Sequence, residues 1–204
     1  MIKFDVKKEY PQLYRATTKK ISRIVVPKLK YIAIDGIGNP TVLEFKEKTK
    51  LMFTINKSLR KYYQNEDITF SGAKLEGIWD TYDNSHFDVT RKKMIKYTLM
   101  MPQPPILTDH ILEEVKNEVL TKTGNCLALD VYLKEFEEGK CIQMLHIGPY
   151  NTEINSTKQI MEYITVANLK LSGFHHEIYL NKPEKVAPED LKTIVRYPVE
   201  EVFL

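Results

Sequence analysis

The sequence lacks several features that would place it in a specialised class of protein. It contains two cysteines in 204 residues, Cys126 and Cys141, and no Cys-x-x-Cys motif. A disulfide framework is therefore excluded, and two free thiols in a reducing compartment are expected. No stretch approaches the ~20 apolar residues that cross a bilayer, and the opening MIKFDVKKEY has no apolar signal-peptide core. These absences predict a cytoplasmic protein that does not contact a membrane.

Charge of one sign is not in excess either. The 30 basic and 27 acidic residues leave a net charge of only +3, and both signs are mixed along the chain. A protein that binds nucleic acid directly usually carries a basic stripe. The charges therefore indicate a solvated surface, and direct nucleic-acid binding is not expected.

Signatures of common catalytic and cofactor sites are also missing. There is no Gly-x-Ser-x-Gly, which argues against a serine nucleophile, and the Gly-Ile-Gly at 36–38 lacks the third glycine of a dinucleotide fingerprint. His175 and His176 are adjacent, and neighbouring strand residues point to opposite faces. Because no third ligand follows at a useful spacing, the sequence predicts neither a metal nor a cofactor.

The chain does contain an ordinary globular core and many tyrosines. Hydrophobic residues make up 43% and charged residues 28%, with twelve tyrosines against eight phenylalanines and one tryptophan. Tyrosine combines an apolar face with a polar tip and suits pockets and interfaces. The alternative is that most tyrosines are half-exposed strand residues.

The hydrophobic pattern predicts helices and strands in alternation, after a loosely packed lead-in over residues 1–20. Breakers such as MPQPP at 101–105 separate them. Asn39 or Thr41 would cap the first helix, and Thr108 or Asp109 the second. Strands are expected over 28–36, 68–80, 89–101, 126–136, 141–147, 175–180 and 192–199, and helices over 41–63, 106–121 and 152–170. Short turns between several strands indicate an α+β fold with an antiparallel sheet.

An internal repeat is predicted from the order of these elements. YIAIDGIGNP at 31–40 resembles CIQMLHIGPY at 141–150, and the spacing from Trp79 to Tyr97 equals that from Tyr179 to Tyr197. The chain 1–204 is thus interpreted as one domain of two strand–helix–strand–strand repeats, at about 28–101 and about 126–200, with the helix 106–121 as connector. Two such units related by a pseudo-twofold axis would leave a central cleft.

The motifs HIGPY, FHHEIYL, KPEKVAPEDLKTIVRYPV and EGIWD together resemble the GyrI-like small-molecule-binding family, which also forms the effector domain of multidrug-responsive transcription activators. The resemblance covers roughly residues 28 to 200. It implies a cleft for aromatic, often cationic compounds, with Glu177 at the acidic position and Tyr150 and Tyr197 near aromatic wall positions. Freestanding members include hydrolases that open the strained cyclopropane of DNA-alkylating compounds, and the EGIW and HHEIYL segments look like that branch.

Strand alternation suggests how such a site is built. His175, Glu177 and Tyr179 share one face of their strand, and Gly77 shares a face with Trp79. The repeat places Gly77 opposite Glu177 and Trp79 opposite Tyr179 across a groove, which leaves room for a guest. The candidate ligand-binding residues are therefore Trp79, Tyr150, Glu177, Tyr179 and Tyr197.

Two functions remain open from the sequence. The first is binding of flat aromatic, often cationic or amphipathic molecules, since a poorly solvated carboxylate among aromatic rings attracts a cation. The second is hydrolysis of a strained electrophile, with Glu177 activating water. A module that binds a topoisomerase or a regulator rests on the family resemblance alone. Each candidate also has a structural alternative: Glu177 as a surface carboxylate, Trp79 as core and Tyr150 as a helix staple.

Overall fold

A computed structural model describes residues 2–38, 43–81 and 95–202. Strands form at Ile2–Asp5 (β1), Ser22–Val26 (β2), Leu29–Ile37 (β3), Ile68–Ser71 (β4), Glu76–Thr81 (β5), Ile95–Gln103 (β6), Tyr132–Phe136 (β7), Gly139–Ile147 (β8), Leu169–Leu171 (β9), His175–Tyr179 (β10) and Lys192–Glu201 (β11). Helices form at Val6–Glu9 (α1), Leu43–Asn65 (α2), Asp109–Thr123 (α3) and Ile154–Val166 (α4). Within these residues no helix is both long and apolar enough to cross a membrane.

Most strands join one open antiparallel sheet. Its order is β2-β8-β11-β10-β5-β6-β3-β7, and β9 pairs with β11 to complete the nine strands. The predicted α+β class with an antiparallel sheet is confirmed. The short β1 and β4 pair separately and in parallel.

The sheet order mirrors itself about its centre. One side contributes β3, β6 and β5, the other β8, β11 and β10, and β5 pairs with β10 where the two sides meet. Along the chain each set is arranged as strand, helix, strand, strand, with α2 in the first and α4 in the second. Of the site residues predicted from sequence, Trp79, Glu177 and Tyr179 therefore lie on the two strands of this junction.

Helices α2 and α4 lie on the same face of the sheet. Phe45 of α2 stacks on Trp79 with ring centroids 5.7 Å apart, while Glu153 at the start of α4 contacts His175. Trp79 and His175 are register partners on β5 and β10, so their side chains point to one side. The junction of the two halves is consequently flanked by both helices.

The helices are held on the sheet by regular apolar stripes. In α2, Leu51, Ile55 and Leu59 recur at the four-residue spacing of one helix face and are each 3% exposed or less. In α4, Ile160 and Ile164 pack with Val195 and other residues of β8 and β11 in a second, smaller core. Burial of such side chains contributes roughly 1.5–3 kcal/mol each.

Capping residues define both ends of α3, and the cap at its start is one of the two that the sequence predicts. The Thr108 hydroxyl accepts from the Ile111 amide at 3.3 Å, and Gly124 ends the helix with a positive φ of 67°, a conformation that glycine adopts without strain. The other proposed caps, Asn39 and Thr41, lie outside the described residues, as does the 89–94 part of the strand predicted at 89–101.

Four sequence predictions about local structure are wrong. The helix predicted over 152–170 ends at Val166, and β9 begins at Leu169. The lead-in over 1–20 is partly ordered and packed, with Val6 and Leu13 each 1% exposed. Residues 68–80 form two strands in two different sheets, β4 and β5, because the chain breaks at the positive φ of Gly72. Residues 126–136 begin as a 3₁₀ helix over Cys126–Asp130 before β7, and the Asn125 side chain caps that turn. Both cysteines are free thiols, as expected.

Candidate functional site

The two central strands bring the predicted residues onto the helix-covered face. Gly77 of β5 is the register partner of Glu177 of β10, which confirms that these two positions oppose each other. Paired residues in an antiparallel sheet point to the same side. Leu75, Gly77 and Trp79 therefore share this face with His175, Glu177 and Tyr179.

The register corrects two details of the predicted arrangement. Trp79 pairs with His175 rather than with Tyr179, and the Tyr179 amide instead donates to the Leu75 carbonyl at 3.0 Å. Gly77 and Glu177 are neighbours within one sheet, not residues facing each other across a groove. The site is thus a floor of sheet between two helices, and the space that the sequence predicted above Gly77 is taken by Trp79 and the Tyr179 hydroxyl.

Glu177 belongs to a buried cluster that the sequence did not predict. His175 Nε2 lies 3.1 Å from Glu177 Oε1 and 3.0 Å from Glu153 Oε1. Glu153 is 4% exposed, His175 2% and Glu177 8%. One imidazole N–H therefore serves two carboxyl groups that are almost out of water.

The protonation of the cluster follows from this crowding. Burial, followed by the charge of Glu177, raises the pKa of Glu153 to about 7 against the pull of His175. Burial alone would lower the pKa of His175, but Tyr197, Glu153 and Glu177 together raise it well above its usual range. The cluster thus favours an imidazolium between two carboxyl groups, of which one gains a proton near neutral pH.

Tyr197 reaches the cluster from the side of α4. Its hydroxyl lies 2.6 Å from His175 Nδ1, and its ring is only 4% exposed. The ring also lines a groove of about 340 Å³ together with Ile154, Met161 and Leu171. The structure therefore places Tyr197 behind His175 and not beside Glu177.

Tyr150 and Tyr179 form an aromatic edge over Glu177. Their ring centroids are 6.0 Å apart in an edge-to-face arrangement. Burial, followed by the nearby Glu177, raises the pKa of Tyr179 well above its usual range, and the Tyr179 hydroxyl hydrogen-bonds to Glu177. Tyr150 is 40% exposed, so it forms the part of the site that meets solvent.

Trp79 supplies the opposite side of the floor. It packs between Phe45 and Tyr97, with ring centroids 5.7 and 5.5 Å away, and is 4% exposed. An added Cβ at Gly77 would lie 3.0 Å from Trp79 Nε1 and 3.0 Å from the Tyr179 hydroxyl. Trp79 and Tyr179 therefore approach each other only because position 77 has no side chain.

The carboxyl cluster also has the dimensions of a cation site. Donor atoms of Glu153, His175 and Glu177 lie within 4.8 Å of one another. The hydrogen on His175 Nε2 already bridges both carboxyl groups, however, and the raised pKa of His175 favours keeping it. We therefore assign a proton-sharing cluster. The argument that His175 and His176 point apart is confirmed by their separate partners.

The opposite face of the same strands carries a second buried charge network. His176 contacts Glu76 and Glu138 at 3.1 and 3.0 Å, and Arg196 contacts Glu138 at 3.2 Å. Arg196 also donates to the Leu13 carbonyl at 2.6 Å, which attaches the N-terminal segment to the sheet. This network is structural, because all of its side chains are buried under that segment.

Sequence reasoning missed Glu153 because acidic residues in the first turn of a helix are usually solvated there. The one available signal is its position three residues after Tyr150 in the HIGPY motif. A residue at that place follows the turn that brings α4 back over the sheet. Glu138 gave no comparable signal, since it lies in a turn with three other charged neighbours.

Comparison with known proteins gives one family and several similar structures. The sequence matches the family described as GyrI-like small molecule binding domain over residues 19–200. The fold is similar to an uncharacterized conserved protein from Listeria innocua, at 30% identity and TM-score 0.88, covering 98% of this chain and 100% of that one. No match was found among curated proteins.

Two further structures differ in how much they imply. A hydrolase from Listeria innocua is 28% identical to this chain with a TM-score of 0.86. The match covers 97% of this chain and 100% of that one. The C-terminal domain of EcmrR is 13% identical with a TM-score of 0.59, with 90% of this chain and 98% of that one covered. The second likeness concerns the fold alone.

Proposed function

Because the chain belongs to the GyrI-like small molecule binding domain family, we propose that it binds flat aromatic molecules at Glu177 and hydrolyses those that carry a reactive carbon. The observation that carries this proposal is the buried carboxyl pair. Glu177 lies among aromatic rings and shares His175 with Glu153, whose pKa is about 7. A pair of neighbouring carboxyl groups, of which one is protonated and the other ionised, is typical of acid–base catalysis.

Binding follows from the aromatic surfaces around Glu177. A guest would lie against the rings of Tyr150 and Tyr179, beside the edge of Trp79 that covers Gly77. Each ring face adds roughly 0.5–2 kcal/mol for a cationic guest. Stacking requires few specific hydrogen bonds, so amphipathic guests of several shapes would be accepted.

Hydrolysis would use the same groups in a balanced sequence. Glu177 takes a proton from water as the water oxygen bonds to the strained carbon of the guest. In the same step the carbon–carbon bond of the cyclopropane to that carbon breaks, and its electron pair moves into the conjugated carbonyl oxygen of the guest. The Tyr150 hydroxyl donates a hydrogen bond to that oxygen, which is finally protonated from solvent. The cyclopropane is the substrate implied by the family resemblance, and the hydrolase neighbours of 27–28% identity support a hydrolytic reaction.

Binding without turnover is the second candidate function. It is supported by the edge-to-face pair of Tyr150 and Tyr179, which would give an aromatic surface whether or not a reaction follows. Sequestration of an aromatic cation would need only that surface and the negative charge of Glu177. The free thiols Cys126 and Cys141 fit a reducing compartment, and we propose the cytoplasm.

One experiment separates the two candidates. The protein is incubated in ¹⁸O-water with a cyclopropane-bearing alkylator, and in parallel titrated with rhodamine 6G while Trp79 fluorescence is recorded. Hydrolysis predicts a ring-opened alcohol carrying one ¹⁸O, at a rate that Glu177→Gln lowers by at least about 100-fold. The exposed Glu189 provides a matched control, since Glu189→Gln should leave the rate unchanged.

Intact alkylator together with saturable dye binding would support sequestration and reject the enzyme. Absence of both product and dye binding would reject the site itself. Ring-opened alcohol formed equally by Glu177→Gln would reject Glu177 as the base.

A further inference from the structure

The proposed reaction does not specify which of the two buried carboxyl groups, Glu153 or Glu177, is protonated and which is ionised. Glu153 and Glu177 both contact the single Nε2 of His175, at 3.0 and 3.1 Å, and both are buried. Two carboxylates held this close in a buried site repel each other unless one of them holds a proton. The reaction therefore depends on which carboxyl group carries a proton.

We propose that Glu153 is a positioning residue that holds this proton, so that Glu177 remains the ionised carboxylate facing the guest. This inference rests on the proposed function, since it specifies how the same site is kept ready to accept a proton from water. It assigns to Glu153 a role that acts through Glu177 and requires no contact with the guest.

The hydrogen-bond partners decide between the two residues. Glu177 has donors in both His175 and the Tyr179 hydroxyl, which satisfy a carboxylate. Glu153 Oε1 contacts His175, but Oε2 is buried and has no hydrogen-bond partner among residues 2–38, 43–81 and 95–202. A buried, unpartnered oxygen is costly as an anion and much less so as part of a neutral acid.

The other ionisable groups around the pair support the same assignment. They are Tyr150 at the turn before α4, Tyr179 on β10, Tyr197 on β11, His146 on β8 and Glu184 in the loop after β10. Tyr150 and Tyr179 stay neutral, because burial raises the pKa of Tyr150 to about 12 and that of Tyr179 well above its usual range. His146 is held by Ser156 at 3.0 Å. With Glu153 protonated, the charges of His175 and Glu177 cancel.

The protons balance over the proposed reaction. Before reaction Glu153 is neutral and Glu177 ionised. Water gives one proton to Glu177 as its oxygen bonds to the guest, so both carboxyl groups are then neutral. The electron pair released to the guest is neutralised from solvent, and Glu177 returns its proton to water. Glu153 keeps the same proton throughout.

Infrared spectroscopy tests the proposal without any turnover. Chelator-treated wild-type protein should show a protonated carboxyl band at pH 6 that disappears with a midpoint near pH 7. Glu153→Gln, a neutral isostere of the protonated acid, should lack the band. The hydrolysis rate of Glu153→Gln should lack the change that the wild-type rate shows around pH 7, whereas Glu177→Gln loses activity at every pH.

Binding of rhodamine 6G supplies a second readout. Ionisation of Glu153 adds a negative charge beside the cation, so the wild-type Kd should fall roughly fivefold between pH 6 and pH 8. Glu153→Gln should show no such change. A wild type without the band, a band that survives in Glu153→Gln, or a Glu153→Gln that folds and keeps the wild-type pH dependence of the rate would each overturn the proposal. Failure of hydrolysis alone would reject the enzyme but leave the infrared result to decide the location of the proton.

Discussion

His175 and His176 are consecutive in β10, and each is fully buried in a different charge cluster on opposite faces of one sheet. His175 lies with Glu153 and Glu177 on the face covered by α2 and α4. His176 lies with Glu76 and Glu138 on the face covered by the N-terminal segment. Strand alternation alone separates them, so one strand supplies both a candidate reaction site and a structural anchor.

This separation predicts different effects of the same substitution at the two positions. His176→Gln removes the cation next to Glu76 and leaves that buried carboxylate with only the Tyr14 hydroxyl, so it should lower the free energy of unfolding by about 3–5 kcal/mol. His175→Gln should lower hydrolysis by at least tenfold at a temperature where both variants are folded, while His176→Gln stays within threefold. Urea unfolding and single-turnover rates measure the two effects. Equal loss of activity in both variants would contradict the separation.

Gly77 predicts a steric test of the guest position. Gly77→Ala would place a Cβ 3.0 Å from both Trp79 Nε1 and the Tyr179 hydroxyl, so these groups must shift by a few tenths of an ångström. Alanine also removes the entropic cost of glycine in a strand, about 0.5–1 kcal/mol. The free energy of unfolding should therefore change by less than about 1 kcal/mol, while the Kd for rhodamine 6G rises about tenfold. Unchanged dye affinity would place the guest away from Gly77.

Alternation and repetition explain what the sequence could predict about the site. Because side chains alternate along a strand, His175, Glu177 and Tyr179 could be predicted to share one face. The similarity of the two repeats predicted Gly77 opposite Glu177, as the register confirms. These relations depend only on local geometry and on the order of elements along the chain.

The missed features depend on contacts between distant segments. Glu153 joins the site only because α4 crosses the sheet above β10, a docking that no local pattern encodes. The pairing of Trp79 with His175 follows from the antiparallel direction of β5 and β10, since with Gly77 opposite Glu177 only parallel strands would bring Trp79 to Tyr179. The buried lead-in is held by Arg196 and Gln143, whose partners there are backbone carbonyls that have no sequence signature.

Tyr150 gives a prediction about affinity that is independent of stability. It is 40% exposed and contacts the Tyr179 ring by its edge, so Tyr150→Ala should change the free energy of unfolding by less than about 1 kcal/mol. Loss of one aromatic contact should raise the Kd for rhodamine 6G about tenfold. Tyr163, a half-buried tyrosine that contacts Arg23, is the matched control, and Tyr163→Ala should leave the Kd unchanged.

The pH dependence of stability provides the last prediction. The pKa of Glu153 is raised from 4.5 to about 7 by burial and by Glu177, so between these values the folded protein holds a proton that the unfolded chain has lost. Stability must then fall as pH rises through this window, by at most about 3 kcal/mol for a shift of this size. The raised pKa values of His175 and His176 act in the same direction above pH 6.5.

Glu153→Gln isolates the contribution of this one carboxyl group. The amide cannot ionise, so the decline between pH 4.5 and 7 should become shallower, and at pH 8 the variant should be more stable than the wild type by about 1–3 kcal/mol. Urea denaturation at pH 5 and pH 8 measures both values. The exposed Glu189→Gln should reproduce the wild-type curve, since its carboxyl group stays in water in both states. A Glu153→Gln variant with the wild-type pH dependence would show that the folded protein does not hold its extra proton at Glu153.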